Sequence, residues 1–254
     1  MRIVVKIGTS TLAHPSGHLN IRRVETLCKI MSDIKNAGHE MILVSSGAIG
    51  MGVGKLGLRQ RPTDIPSKQA AAAVGQCELM YTYDKLFSEY HHTVAQLLIT
   101  GDDTVNEKRR GNFINTLNRL LELGTLPIIN ENDTIATDEI VIGDNDTLAA
   151  IVAQSIKADL LVLLSDIDGL YTADPHKDQN AVLLSRVTQV DDKILALAGV
   201  SSTTQGTGGM VTKLHAAEIC LKCGCDMVIA NGSRPENLYD ILDGKDVGTT
   251  FSGK

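Results

Sequence analysis

Residues 160–166 read L-L-V-L-L-S-D, five aliphatic residues followed by two polar ones. An unbroken aliphatic run of strand length is typical of a strand that is buried on both faces, as in a parallel sheet covered by helices. Similar β-rich apolar runs occur at residues 3–7, 41–45, 94–100, 126–130 and 227–230. We therefore predict that these six segments, the first of them over residues 160–165, are strands of one mostly parallel sheet.

Helical patterns alternate with these strands. Residues 21–34 place apolar side chains three and four positions apart, with Asn20 as a candidate N-cap and Gly38 just beyond the end. Further helices are predicted at 67–90, 112–123, 147–157, 191–197, 210–222 and 235–242. Strand–helix alternation with right-handed crossovers predicts an α/β fold, a three-layer sandwich with a central mostly parallel sheet. No linker or internal repeat interrupts it, so we expect one domain over residues 1–254.

Composition argues against two classes of partner. The formal charge is −6, basic residues are scattered and aromatic residues make up 3% of the chain, which does not suit a nucleic-acid surface. The apolar runs are far shorter than the ~18 residues of a membrane span. The N-terminal M-R-I-V-V-K-I-G meets charge too early for a secretory signal. We therefore expect a cytoplasmic protein that binds neither nucleic acid nor membrane.

The five cysteines, an odd number without repeated spacing, fit a reducing compartment. Three of them form C-L-K-C-G-C at Cys220, Cys223 and Cys225. Metal binding is one interpretation, but no second pair of ligands accompanies them. We predict buried thiols and no metal held by the protein.

Polar residues after the strands carry the functional signals, because ligands of open α/β sheets bind beyond the carboxyl ends of the strands. Lys6, Gly8 and Thr9 follow the first strand and suit an anion, although a lysine there can also cap a strand edge in solvent. The stretch G-T-G-G-M-V-T-K-L at 206–214 precedes a helix whose N-terminus attracts negative charge. It lacks P-loop spacing, yet a cation in this first turn, Lys213, suggests an anionic partner.

The second strand is followed by S-S-G-A-I-G-M-G at 45–52, small residues that let a backbone approach a ligand and bind negative charge. Nearby, G-V-G-K-L-G at 52–57 matches the dinucleotide fingerprint G-x-G-x-x-G. It begins several residues past the strand, and Pro62 and Pro66 disfavour one helix continuing from it. We predict that this match does not bind a nucleotide.

Two clusters of acids and amides complete the pattern, I-N-E-N-D at 129–133 and G-D-N-D at 143–146, joined by a predicted hairpin at 137–142. Either cluster alone would be read as an Asx turn or a helix cap. Together they could bind an ammonium and a carboxylate, or hydrogen-bond a lysine.

Taken in order, these motifs resemble the glutamate 5-kinase branch of the amino acid kinase family. The resemblance extends from Lys6 nearly to the end of the sequence. It rests on K-I-G-T-S at 6–10, S-G-A-I at 46–49, I-N-E-N-D, G-D-N-D, D-G-L-Y-T-A-D-P at 168–175 and G-T-G-G-M-x-T-K at 206–213. It implies the amino acid kinase fold and transfer of the γ-phosphoryl group of ATP, with Mg²⁺, to the side-chain carboxylate of L-glutamate, the first step of proline biosynthesis.

The resemblance also implies a role for individual residues. The catalytic core would be Lys6, Lys213 and Asp146. The residues that contact ATP would be Lys6, Gly8, Thr9, Ser165, Asp166, Thr207, Gly208, Gly209, Met210, Val211, Thr212 and Lys213. Those that contact glutamate would be Ser46, Gly47, Asp133 and Asn145. A homo-oligomer, dimer or tetramer, and a downstream glutamyl phosphate reductase are further implications. Many members carry a C-terminal PUA domain, which we do not expect in this chain.

The implied chemistry fits these residue types. A carboxylate acceptor has a reference pKa of about 4.3, is ionised at neutral pH and needs no general base. The obstacle is charge repulsion, which two lysines, Mg²⁺ and glycine-loop amides would offset. We therefore interpret Asp146 as an organiser of the lysines. A kinase for another acid, such as carbamate, aspartate or a nucleoside monophosphate, and an inactive amino-acid sensor remain the alternatives.

Overall fold

The structure is a computed structural model and describes residues 1–14, 18–136, 145–175, 177–198 and 209–253. Its strands are β1 (Arg2–Ile7), β2 (Glu40–Ser45), β3 (Val94–Ile99), β4 (Leu126–Glu131), β5 (Leu160–Ser165), β6 (Arg186–Val187), β7 (Asp226–Asn231) and β8 (Thr249–Phe251). Its helices are α1 (Thr9–Leu12), α2 (Ile21–Asn36), α3 (Ala48–Lys55), α4 (Ile65–Ser88), α5 (Gly101–Val105), α6 (Glu107–Glu122), α7 (Asn145–Ser155), α8 (Asp192–Ala198), α9 (Met210–Cys223) and α10 (Asn237–Leu242).

The described strands form one eight-stranded sheet in the order β3-β4-β2-β1-β5-β7-β8-β6. Neighbouring strands run parallel except for β7 and β8, which are antiparallel. All six predicted strands are confirmed, and the short β6 and β8 extend the sheet beyond them. In register, Ile7 lies opposite Ser45 and Leu164, and Ser165 lies opposite Asn231. The ends of the central strands therefore meet at one edge of the sheet.

Helices cover both faces of this sheet, which confirms the three-layer prediction. Val4, on one face, belongs to a core that includes Leu148 of α7 and Leu214 of α9. Val5, on the opposite face, belongs to a second core that includes Met31 of α2 and Leu79 of α4. Successive side chains of a strand point to opposite faces. Lys6 therefore shares the face of Val4, towards α7 and α9.

Helices α3 and α4 pack so closely that two glycines are required between them. A Cβ atom on Gly52 would lie 1.8 Å from the backbone oxygen of Ala71, and one on Gly75 would lie 1.7 Å from that of Ala48. Gly52 belongs to the G-x-G-x-x-G match, and its role is helix packing. The prediction that this match is no nucleotide loop is consistent with that position.

Several helix boundaries differ from the predictions. Helix α4 begins at Ile65 because the Asp64 side chain accepts from the backbone N–H of Ser67, and α6 begins at Glu107 because Asn106 caps it in the same way. The short helices α1, α3 and α5 were not predicted. In the described part of the chain, no helix is both long and apolar enough to cross a bilayer.

The three thiols of C-L-K-C-G-C do not share one environment. Cys220 and Cys225 are buried, as predicted, but Cys223 is exposed, so that part of the prediction is wrong. Cys223 lies in the last turn of α9, on the side facing solvent, where its thiol donates to the carbonyl of Cys220.

Candidate active site

Two lysines from opposite ends of the sequence meet on one buried carboxylate. Lys6 Nζ lies 2.6 Å from Asp146 Oδ1, and Lys213 Nζ lies 3.0 Å from Asp146 Oδ2. Lys6 comes from β1, Asp146 from the first turn of α7 and Lys213 from the first turn of α9. Asp146 is fully buried, and the lysines are only 9% and 6% exposed. We call these three residues the lysine–aspartate cluster.

The cluster holds Asp146 in its ionised form. Burial alone would raise the pKa of the carboxyl group, but the charges and hydrogen bonds of Lys6 and Lys213 outweigh burial and lower it below its ordinary value. The hydroxyl of Thr212 donates to Asp146 Oδ2 at 3.1 Å. The positive end of the α7 dipole also favours a carboxylate in its first turn. Asp146 is thus the shared counterion of two cations, which leaves the cluster with one net positive charge, and its lowered pKa makes it a poor base.

The N-terminus of α9 lies beside the cluster and offers backbone donors. Gly209 is its N-cap and provides no side-chain cap, and Met210 and Val211 occupy the first turn. First-turn N–H groups without a cap are donors available to an anion. Two of the predicted nucleotide contacts, Thr207 and Gly208, lie outside the described residues, as do residues 137–144 with the predicted hairpin and half of G-D-N-D.

The other predicted nucleotide residues surround the ends of β1 and β5, which are adjacent strands. Gly8 is the N-cap of α1, and a Cβ atom there would lie 3.5 Å from Lys6 Nζ, so its backbone adjoins the ammonium group. Thr9 opens α1. At the end of β5, Ser165 is buried and donates to the exposed carboxylate of Asp166 at 3.1 Å.

A second group of polar side chains is centred on Asn145, next to Asp146. Asn145 Nδ2 donates to Ser46 Oγ at 2.8 Å, to the Ser45 carbonyl at 3.2 Å and to Asn130 Oδ1 at 3.0 Å. Gly47 follows with φ of 105°, a left-handed conformation that favours glycine. The ends of β2 and β4 are therefore tied to the start of α7, which joins this group to the lysine–aspartate cluster.

A cavity of about 280 Å³ opens beside these strand ends, between α4, β3 and the residues after β4. We call it the α4 cavity; its lining includes Gln76, Glu131 and Asp133. Burial raises the pKa of Asp133 above its ordinary value, and Arg61 only partly offsets that effect. A carboxylate in this environment is stabilised by a cationic ligand.

The structure thus brings those predicted residues that it describes together at one edge of the sheet, and it adds residues that were not predicted. Asn130 donates from Nδ2 to Gln76 Oε1 at 2.9 Å, and Tyr83 lies 2.8 Å from Ser45 Oγ through its hydroxyl. Gln76 and Tyr83 are seven residues apart and lie on one face of α4. Their separation by two helical turns was the signal available in the sequence.

Comparison with known proteins agrees with this geometry. Residues 1–231 match the amino acid kinase family. A glutamate 5-kinase of Clostridium perfringens is 52% identical over 100% of this chain and 96% of its own length. Those of Clostridium acetobutylicum and Listeria innocua are 53% and 50% identical over 100% of this chain and 95% and 93% of their own lengths.

Solved structures with low sequence identity share the fold. A carbamate kinase from Giardia lamblia bound to AMP-PNP superimposes with a TM-score of 0.72 at 17% identity, covering 100% of this chain and 98% of its own. An isopentenyl phosphate kinase gives 0.70 at 15% identity, covering 99% and 100%. The chain belongs to the amino acid kinase family.

Proposed function

We propose that this chain transfers the γ-phosphoryl group of ATP to the γ-carboxylate of L-glutamate, giving L-glutamyl 5-phosphate, the first step of proline biosynthesis. Full-length identity of about half to curated glutamate 5-kinases supports this activity. One observation carries the mechanism: a single buried carboxylate, Asp146, holds the ammonium groups of Lys6 and Lys213 together at the ligand edge of the sheet.

The lysines answer the main difficulty of the reaction, the approach of two anions. At 4 Å, two unit charges repel by roughly 4 kcal/mol at an effective dielectric near 20. In the proposal, Lys6 and Lys213 face the transferring phosphoryl group and neutralise the charge that develops on it. Asp146 keeps both ammonium groups in place before the nucleotide arrives. The acceptor is already ionised, so proton abstraction is not required.

On the nucleotide side, residues around α9 and the ends of β1 and β5 would bind ATP. The backbone of Gly8, Thr9 and residues 207–213 would bind the phosphates, with Ser165 and Asp166 beside them. Both carboxylate oxygens of Asp146 are engaged by lysines, so Asp146 is not available as a metal ligand. Within the described residues, no three His, Cys, Asp or Glu side chains are grouped to hold a metal ion. We place the Mg²⁺ on the ATP phosphates.

On the acceptor side, Asp133 would bind the α-ammonium group of glutamate. Its carboxylate is largely buried, and a cation beside it would offset the cost of that burial. An N-acylated amino acid would leave Asp133 without this partner, which favours the free amino acid. Ser46, Gly47 and Asn145 would contact the remainder of the substrate.

The proposal extends to the physiological setting. An acyl phosphate hydrolyses readily, so a glutamyl phosphate reductase acting directly afterwards is part of the proposal, as are a cytoplasmic location and a homo-oligomer, dimer or tetramer.

The test is phosphate transfer trapped with hydroxylamine. With MgATP and L-glutamate, the purified protein should release ADP and form γ-glutamyl hydroxamate in equal amounts. Aspartate, carbamate and N-acetylglutamate serve as acceptor controls and should react far more slowly. Absence of glutamate-dependent ADP release would refute the kinase proposal and favour an amino-acid sensor, whereas faster turnover of another acid would reassign the acceptor.

A further inference from the structure

Gln76 is a buried amide that lines the same cavity as Asp133. It projects from the inner face of α4, and the residue is 8% exposed. Its side-chain oxygen accepts a hydrogen bond from Asn130 Nδ2 at 2.9 Å. The nitrogen of the Gln76 amide is therefore on the other side of the group, and its surroundings determine what the residue can do.

The orientation of this amide is fixed by donors whose identity is certain. A backbone N–H can only donate, and that of Glu131 points to the Asn130 side chain at 2.9 Å. The atom it meets must be Asn130 Oδ1, so Asn130 Nδ2 faces Gln76. Because Nδ2 is a donor, the atom of Gln76 that meets it must be Oε1. Flipping either amide would place two donors or two acceptors against each other.

Gln76 Nε2 consequently has two N–H groups to donate. Among the residues that the structure describes, Nε2 donates to none of them. Gln76 lines the cavity while the residue itself is largely buried, so these N–H groups face the cavity and can donate to a ligand that accepts hydrogen bonds there. The α4 cavity, about 280 Å³ in volume, is large enough for part of a small amino acid.

The chemistry of glutamate indicates which of its groups would accept this bond. The α-ammonium and α-carboxylate groups are attached to the same carbon, so an ammonium beside Asp133 brings the α-carboxylate into the same cavity. The γ-carboxylate must instead reach the lysine–aspartate cluster. Two carboxylates, Asp133 and Glu131, already line the cavity, and a further carboxylate needs a donor there.

We propose that Gln76 binds the α-carboxylate of the acceptor through Nε2 and selects α-amino acids over ω-amino acids that lack this group. The inference rests on the proposed function, because it takes glutamate as the substrate. A site built to hydrogen-bond a carboxylate rejects an analogue without it, since the buried donor is then left unpaired. The relevant analogue is 4-aminobutyrate, which retains the amine and the reacting carboxylate of glutamate but lacks the α-carboxylate.

The experiment compares two acceptors in matched variants. Gln76→Glu keeps an oxygen to accept from Asn130 but replaces the donor by a second acceptor. The ratio of kcat/KM for glutamate to kcat/KM for 4-aminobutyrate should fall about 10- to 100-fold, as expected for a lost hydrogen bond to a charged group. The KM for ATP should stay unchanged. Gln96→Glu is the control. This substitution adds the same charge to the same cavity, but from β3 and at an exposed position.

Gln76→Leu separates selectivity from a purely structural role, because it removes both the donor and the acceptor. A structural role would lower kcat/KM for both acceptors together and leave their ratio unchanged. An unchanged ratio in both Gln76 variants, with an active wild-type enzyme, would overturn this inference alone. A fall of the ratio in Gln96→Glu equal to that in Gln76→Glu would also overturn it. A wild-type protein without glutamate-dependent activity would remove its premise and refute the proposed function.

Discussion

Asp146→Asn should reveal how much the lysine–aspartate cluster depends on one negative charge. The substitution preserves the shape of the side chain but leaves Lys6 and Lys213, both buried, without a counterion. Two unit charges 4 Å apart repel by roughly 4 kcal/mol at an effective dielectric near 20, and the two ammonium groups would then repel each other with an energy of that order. Removing one partner of a buried ion pair costs about 3–5 kcal/mol. We expect a loss of that size in the free energy of unfolding.

Nucleotide should recover part of this loss. The phosphates of ADP bring negative charge to the same lysines, so ADP should raise the melting temperature of Asp146→Asn by more than it raises that of the wild type. Turnover should nevertheless fall at least ~100-fold, because the ammonium groups are no longer held in position before the reaction. Denaturant unfolding with and without ADP, together with steady-state kinetics, measures all three quantities.

The pH dependence provides an independent check. The pKa of Asp146 is lower in the folded protein than its ordinary value of 3.8, so its stabilising effect is complete above that value and is lost as the pH falls through the folded pKa. The stability difference between wild type and variant should therefore shrink only at strongly acidic pH. Asp64→Asn is the control, because Asn caps a helix about as well as Asp. A variant as stable and as active as the wild type would refute the assigned role of the cluster.

Three further substitutions test separate parts of the site. Lys213→Ala should lower kcat at least ~100-fold in steady-state kinetics, while Lys222→Ala, exposed on the same helix, should not. Asp133→Asn should raise the glutamate KM far more than the ATP KM. In the wild type, the glutamate KM should decrease as the pH rises through the raised pKa of Asp133, and the variant should lose this decrease. Equal effects on both KM values would exclude Asp133 as the residue that binds the α-ammonium group. Gly75→Ala should destabilise the fold by about 3 kcal/mol in denaturant unfolding, because its Cβ would lie 1.7 Å from a backbone oxygen, whereas Gly111→Ala, with open space around it, should not.

The body of the fold was predictable because its central strands are buried on both faces. An apolar run such as 160–164 is not expected in a solvent-exposed segment, so it indicates a buried strand. Lys6 is conspicuous within β1 because it interrupts such a run. The rule that ligands bind beyond the carboxyl ends of the strands then pointed to the segments that contain Lys6, Asp146 and Lys213, and the family resemblance grouped the three residues as one core. Their convergence on a single carboxylate follows from helix placement, which sequence periodicity does not describe.

The elements of the fold and the site residue that were not predicted depend on tertiary contacts. Helix α3 consists of A-I-G-M-G-V-G-K, a sequence rich in glycine that disfavours a helix in isolation, and it is stabilised by close packing on α4. Strands β6 and β8 are only two and three residues long and exist by pairing with each other and with β7. Gln76 was missed because α4 contains many polar residues, most of them at least partly exposed, and the packing of the helix decides which one faces inwards.

Helix α4 links the two halves of the site. From one face, Gln76 contacts Asn130 at the end of β4, and Tyr83 contacts Ser45 at the end of β2. Both strand ends in turn accept hydrogen bonds from Asn145. The next residue, Asp146, pairs with the two lysines of the cluster. A displacement of α4 would therefore move the wall of the acceptor cavity and the anchor of α7 together. Since phosphoryl transfer depends on the distance between two anions, a helix whose buried face packs against both sides of the site is a direct structural means of setting that distance.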